Sequence, residues 1–149
     1  MASAPGSFVA VTDRGGHLAN ALLLFEQMRL RPVAILVSDG PEAASLAATR
    51  RTYVLPHLFS WFGQRRFLNP VSTLNHIALT FVLAIRLRPR VVLSFGAYST
   101  PCFCYWAWLF GSRIVHIENL NNVDQPSRTG RLLRPICSDV FVQWEELVA

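Results

Sequence analysis

The sequence predicts an α/β fold, a Rossmann-like doubly wound parallel sheet. Two observations carry this. Short runs at residues 8–12 (FVAVT), 33–38 (VAILVS) and 91–95 (VVLSF) are almost continuously apolar, as strands buried on both faces are. Between such runs, apolar residues recur at helical spacing, as in Leu18, Leu22, Phe25 and Met28.

Taken in order, residues 8–12 form a strand and 13–17 (DRGGH) a tight loop, followed by a helix over 18–29. A second strand covers 33–38, Asp39-Gly40-Pro41 is turn chemistry, and 42–49 is a short helix. Residues 52–55 are a weaker third strand and 91–95 a fourth. Thr100 and Pro101 suit an N-cap and first helical position, for a helix that ends at Gly111. Strands at 113–117 and 140–143 complete the sheet. On such a sheet ligands bind at the carboxyl ends of the strands, here the loops 13–17, 39–41, 96–100 and 118–130. The 149 residues suit one domain of the common size, ~100–150 residues.

The long stretch between the third and fourth strands exceeds a minimal βαβ connection. Residues 56–90 carry Trp61 and Phe62, then Arg65 and Arg66, then a helix over about 71–87 closed by Arg86 and Arg88. Charge marks the same region. All fourteen basic residues are Arg, and the net charge is +5. Residues 43–117 hold eight Arg and no acid, while both flanks are net negative. Nucleic-acid binders spread basic residues over a polar face, whereas here Arg flanks apolar and aromatic runs. That pattern favours an anionic membrane surface over nucleic acid, with 56–90 as an interfacial insertion anchored by Trp61, Phe62, Arg65, Arg66, Arg86 and Arg88. A plain core helix with a loop before it is the alternative. No apolar run approaches the ~20 residues of a membrane span. Residues 1–7 are not expected to act as a secretory signal. The odd set Cys102, Cys104 and Cys137 fits a reducing compartment, and Cys102-x-Cys104 lacks the second ligand pair of a zinc site.

The chemistry-bearing residues lie in the loops. Gly15 and Gly16 allow a ligand close to the backbone at a helix amino end, which suits a phosphate or diphosphate. His17 stands where a general base is useful, or simply hydrogen-bonds within its loop. Gly96, Ser99 and Thr100 form a second strand-to-helix loop, able to hold an anion or merely to cap the helix. Glu118 and Asn119, directly after a strand, suit sugar hydroxyls. His116, inside its strand, reads as a satisfied buried histidine.

Five motifs in order extend across nearly the whole chain: Gly15-Gly16-His17-Leu18, Val92-Leu93-Ser94-Phe95-Gly96-Ala97, Ile117-Glu118-Asn119, Pro126-Ser127-x-Thr129-Gly130, and residues 139–147 (DVFVQWEEL). Together they resemble the PssD-type family of polysaccharide-biosynthesis glycosyltransferase subunits. That family includes the membrane-anchored subunit of the eukaryotic enzyme adding the second GlcNAc to dolichyl-diphosphate-GlcNAc, and it is more distantly similar to the N-terminal half of MurG.

The resemblance implies a GT-B glycosyltransferase split over two chains. Residues 1–149 would be the single acceptor-side domain, and a separate C-terminal subunit would bind most of the UDP-sugar donor. The acceptor would be a lipid-diphosphate-linked sugar, in exopolysaccharide, capsule or lipid-linked oligosaccharide synthesis. The site would be peripheral, on the cytoplasmic face of the inner (plasma) membrane. Transfer of a glucuronosyl or N-acetylglucosaminyl type would be direct and inverting, without cofactor or metal, and would need the partner chain. By motif match, His17 is the base. Gly15, Gly16, Gly96, Ser99 and Thr100 shape the diphosphate pocket, and Glu118 and Asn119 meet the sugar.

Asp13 departs from the family's small hydroxyl residue; a carboxylate there would either act on His17 or repel a diphosphate, with Arg14 beside it to offset the charge. Eukaryotic members carry a membrane helix ahead of the first strand, and the family runs somewhat further past Trp144; both differences bear on anchoring and docking. Two other readings are a non-catalytic membrane scaffold that recruits the transferase, and an isolated nucleotide-binding module.

Overall fold

A computed structural model describes residues 7–62 and 65–148. In chain order the elements are β1 (Phe8–Thr12), α1 (Gly16–Gln27), β2 (Ala34–Ser38), α2 (Pro41–Ala47), β3 (Thr52–Leu55), β4 (Phe59–Phe62), β5 (Arg65–Leu68), α3 (Pro70–Leu87), β6 (Val91–Ser94), α4 (Thr100–Leu109), β7 (Arg113–Ile117), α5 (Arg128–Leu133) and β8 (Cys137–Phe141). Among the described residues, six strands form one parallel sheet in the order β3-β2-β1-β6-β7-β8. This is the doubly wound α/β arrangement that the apolar strands predicted.

Strand alternation divides the core into two layers. Val9 and Val11 of β1 pack with Leu83 of α3 and Phe103 of α4, while Ala10 between them packs with Leu18 and Phe25 of α1 and Leu46 of α2. The β1–β6 register, Val9 opposite Val92 and Ala10 opposite Leu93, carries that alternation across the sheet centre. Both faces are thus sealed around β1 and β6, which leaves their carboxyl ends as the open edge.

Three regions differ from the sequence expectation. Residues 56–68 contain an antiparallel hairpin, β4 with β5, in which Phe59 pairs Leu68 and Trp61 pairs Arg66. Each strand has four residues without polar–apolar alternation, so periodicity could not reveal it. The side chains of Trp61 and Phe62 lie outside the described residues. The stretch 118–130, read as a loop, ends in α5, capped by the Ser127 hydroxyl, which accepts the Gly130 N–H at 2.8 Å. The last strand begins at Cys137 and not at 140, and its register against β7 shifts at an irregularity between Ile114 and Val115. Its polar Ser138 and Asp139 are tolerated on an edge strand, where Asp139 pairs with Arg113 at 2.8 Å.

α3 corrects the expectation that no segment approaches a membrane span. Asn69 caps it by accepting the Ser72 N–H at 3.1 Å, Pro70 occupies the first turn, and Arg88 ends it at φ 38°. Its 18 residues have a mean hydropathy of 1.3, which suffices to cross a bilayer by length and composition alone. The fold gives it a different setting. His76, Thr80, Leu83, Ala84 and Leu87 form a buried stripe, while Val71, Leu74, Phe81, Val82 and Ile85 leave a second apolar face exposed.

Candidate functional site

The site is built where the carboxyl ends of β1, β6 and β7 meet. Gly15 holds the cap position of α1 at φ +70°, a conformation that favours glycine. A Cβ at Gly15 or Gly16 would meet nothing within 4 Å, so the space above this turn is open to a ligand. The next residue, His17, reaches across the edge to β6. Its Nδ1 lies 2.8 Å from the Phe95 carbonyl oxygen. A carbonyl only accepts, so Nδ1 carries the proton and Nε2 keeps its lone pair. The longer contact of Nδ1 with the Asn119 amide, 3.4 Å, is secondary to this bond. His17 is therefore held in the tautomer a general base needs, by the opposite loop and not by its own.

Gly96, at φ +90°, lies between two histidines: a Cβ there would stand 3.6 Å from His17 and 3.8 Å from His116. Ala97 follows at φ +74°, in the left-handed region where a side chain is strained. Two hydroxyls fix it there. Thr100 and Thr129 each donate to the Ala97 carbonyl at 3.1 Å. Thr100 is thus a fully buried framework residue whose hydroxyl is spent inside the loop. It is the first residue of α4, and the cap position belongs to Ser99.

Glu118 is only 2% exposed. Its Oε1 accepts from the Asn122 amide at 2.7 Å and its Oε2 from the Ser127 N–H at 3.1 Å. Burial pushes the carboxyl upward, but hydrogen bonds from His116 and Ser127 and the charge of His116 outweigh it, and the pKa falls to about 2. His116 is fully buried, with Nδ1 3.2 Å from the Ser94 hydroxyl and Nε2 3.5 Å from Glu118. Glu118 is thus a buried anion that organises the 119–130 loop, and its oxygens point into that loop rather than outward to a ligand. Gly130 makes the room: a Cβ there would collide with Glu118 Oε2.

Asn119 remains at the mouth, where its Oδ1 accepts weakly from Asn20 at 3.4 Å. His17, Asn119, Glu118, Phe95 and Ile117 line one cavity of about 140 Å³. A second, of about 240 Å³, lies on the other side of the β6–α4 loop and is lined by Asp13, Arg14, His57, Arg66, Tyr98 and Ser99. Asp13 belongs to this second cavity and hydrogen-bonds the Ser38 hydroxyl and the Arg14 N–H. Arg66, expected at the membrane surface, turns over Phe59 and Tyr98. Arg65, Arg66, Arg86 and Arg88 are all exposed. Gly15 touches a broader groove between α1 and α2 that does not include His17.

Sequence reasoning missed three framework residues. His76, fully buried on α3, places its two ring nitrogens 2.9 Å from Pro56 O and 3.1 Å from Ser99 O, tying the hairpin approach to the β6–α4 loop. Gln143 donates to Glu118 O at 3.2 Å and Trp144 to Leu120 O at 2.8 Å. No spacing rule finds such ties, since their partners are backbone carbonyls distant in sequence. Among the described residues, no group of three or more His, Cys, Asp or Glu side chains could hold a metal ion. Burial pushes the Cys137 thiol up to about 11 and Cys104 higher still, so neither is poised as a nucleophile.

Comparison with known proteins adds four matches. The family model described as "Oligosaccharide biosynthesis protein Alg14 like" matches residues 61–149. Two fungal relatives are each named "UDP-N-acetylglucosamine transferase subunit ALG14". The one from Yarrowia lipolytica is 26% identical over 154 residues, covering 89% of this chain and 71% of its own. The one from Candida albicans is 24% identical over 149 residues, covering 89% and 68%. The crystal structure of Acinetobacter baumannii MurG superposes with a TM-score of 0.71 at 19% identity, over 94% of this chain. The chain spans 42% of the length of MurG.

Proposed function

The chain belongs to the Alg14-like family of oligosaccharide-biosynthesis proteins, and on that premise we propose that it is the acceptor-binding subunit of a two-chain UDP-sugar glycosyltransferase. The observation that carries this is the His17 geometry: a histidine at the open sheet edge with one nitrogen fixed by a carbonyl at 2.8 Å and the other available. The names of the fungal relatives support a transferase subunit. The superposition on MurG supports a glycosyltransferase-type fold for this acceptor-side domain.

In this reading the acceptor sugar sits over Gly15 and Gly16 with its hydroxyl at His17 Nε2. As the hydroxyl oxygen attacks the anomeric carbon of the donor, the bond to the UDP oxygen breaks and the proton passes to Nε2. The product is inverted at that carbon and UDP leaves with the electron pair. Asn119 borders the sugar, while Glu118, Thr100 and Gly96 hold the loops that frame it. The exposed apolar face of α3, continued by Trp108, Leu109 and Phe110 at the end of α4, rests on an anionic bilayer at the cytoplasmic membrane face, with Arg86 and Arg65 toward headgroups.

Reconstitution tests the assignment. This chain and a candidate donor-binding chain are assayed separately and together, with UDP-GlcNAc or UDP-glucuronate and a short-chain lipid-diphosphate sugar. Transfer only in the mixture supports the proposal, and full activity of the partner alone refutes it.

A further inference from the structure

The fold separates charge along the strand axis. At the carboxyl ends, Asp13, Asp39, Glu118 and Asp124 follow β1, β2 and β7, and Glu145 and Glu146 follow β8. The amino ends carry arginine. Arg31 precedes β2, Arg50 and Arg51 precede β3, Arg90 precedes β6, Arg113 opens β7 and Arg134 precedes β8. All six are exposed. Backbone bonds hold them along one edge: Ile35 donates to the Arg51 carbonyl at 2.9 Å, and Arg113 to the Arg90 carbonyl at 2.8 Å. The arginine excess thus gathers at the end of the sheet opposite His17.

One part of this edge is shaped. A groove of about 1300 Å³ runs between α1 and α2, from Gly15 and Glu42 to Arg29, Arg31, Arg50 and Arg51. Leu18, Phe25 and Leu46 are its buried apolar lining, and Leu22 and Leu30 are half-buried beside them. Among the described residues the side chains of Arg29, Arg31 and Arg50 make no hydrogen bond or ion pair. Arg51 donates to the Tyr53 hydroxyl at 2.7 Å. Glu26 and Glu42 are the acids of the groove.

We infer that this groove seats a helical segment of a partner protein, acidic at the end that meets the arginines and apolar along the face that meets Leu22 and Leu30. Size favours a protein segment, because small-molecule sites hold ~300–1,000 Å³ and this groove is larger. It follows the 12-residue α1, about 18 Å at the helical rise, a length suited to a helix laid in a groove. Charge changes sign along it, from Glu42 in the first turn of α2 to the four arginines at the far end. A segment with one acidic end matches that pattern; nucleic acid, anionic throughout, does not. A bilayer resting on α3 does not cover the groove, because α3 packs in the other layer of the core.

The test is fluorescence anisotropy with the full chain. The probe is a labelled peptide of roughly 18 residues, with leucine at helical spacing and glutamate at one end. A second peptide has serine in place of each leucine. Arg31→Glu with Arg50→Glu is expected to weaken binding of the leucine peptide about tenfold or more. Ser45→Trp is expected to do the same, since Ser45 lines the groove, is exposed and carries no charge; circular dichroism checks its fold. Arg131→Glu with Arg134→Glu, at α5 in the other layer, is expected to cost about twofold at most. The serine peptide is expected to bind about tenfold more weakly. No binding by wild type overturns the inference, as does equal binding by wild type and the Arg31/Arg50 variant. Equal binding by Ser45→Trp overturns it by leaving charge without a groove. An equal loss in the Arg131/Arg134 variant overturns it by indicating a diffuse field. Equal affinity for the serine peptide or for a single-stranded oligonucleotide overturns it by making any polyanion sufficient. No transfer is measured, so the result is independent of the acceptor reading.

Discussion

His17 and Phe95 face each other across the open edge of the sheet, with imidazole Nδ1 2.8 Å from the carbonyl oxygen. The bond selects a tautomer before any substrate arrives. Nitrogen-resolved NMR of the neutral ring should show His17 protonated at Nδ1 and bare at Nε2. The reverse tautomer would remove the lone pair from the side where the acceptor is placed.

Glu118 makes stability depend on acid. Its folded pKa, about 2, lies below the ordinary value of 4.5. The depressed pKa contributes stability that is fully present above about 4.5 and lost as the pH falls toward 2, worth about 3 kcal/mol in all. Denaturant melts between pH 7 and 2 should show that loss. Glu118→Gln should lower stability at pH 7 by about 1–3 kcal/mol and flatten the acid limb, because its amide nitrogen meets donors such as the Ser127 N–H.

Two small residues near the site are predicted to respond in opposite senses. Gly130→Ala forces a methyl into Glu118 Oε2 and should destabilise by about 1–3 kcal/mol. Ala97→Gly relieves a side chain held at φ +74° and should stabilise by up to about 1 kcal/mol. Thermal melts of the two variants decide both.

The apolar outer face of α3 should govern membrane recovery. Val71 and Leu74 are 69% and 66% exposed, so Val71→Asp with Leu74→Asp leaves the core intact. Flotation with anionic vesicles should lose most of this variant, while Met28→Asp, at the end of α1 across the sheet, should float like wild type. Equal recovery of all three would detach membrane binding from α3.

The parallel sheet was legible because β1, β2 and β6 are buried on both faces and spell it in continuous apolar letters. The loops at their carboxyl ends were legible for the same reason, since the sheet order dictates where they converge. The roles of individual residues were less so. Glu118 and Thr100 look like ligand contacts in sequence, yet their polar atoms are consumed by Ser127, Asn122 and Ala97. Those partners sit at the cap of α5 and in turns too short to leave a periodic signature. Arg66 reads like any surface arginine, because its position is set by Tyr98, thirty-two residues away. The motif Ser127-x-Thr129-Gly130 was recognisable before its physical reason was: a cap for α5, a donor to Ala97, and space for Glu118.

The central claim is that this chain supplies the base for sugar transfer. Its most direct test is His17→Ala in the reconstituted two-chain enzyme, with complex formation checked by co-purification. The claim predicts an intact complex whose kcat falls by about 10²–10⁴-fold. An intact complex with unchanged transfer would contradict it and leave the chain a membrane scaffold for a partner that carries all the chemistry.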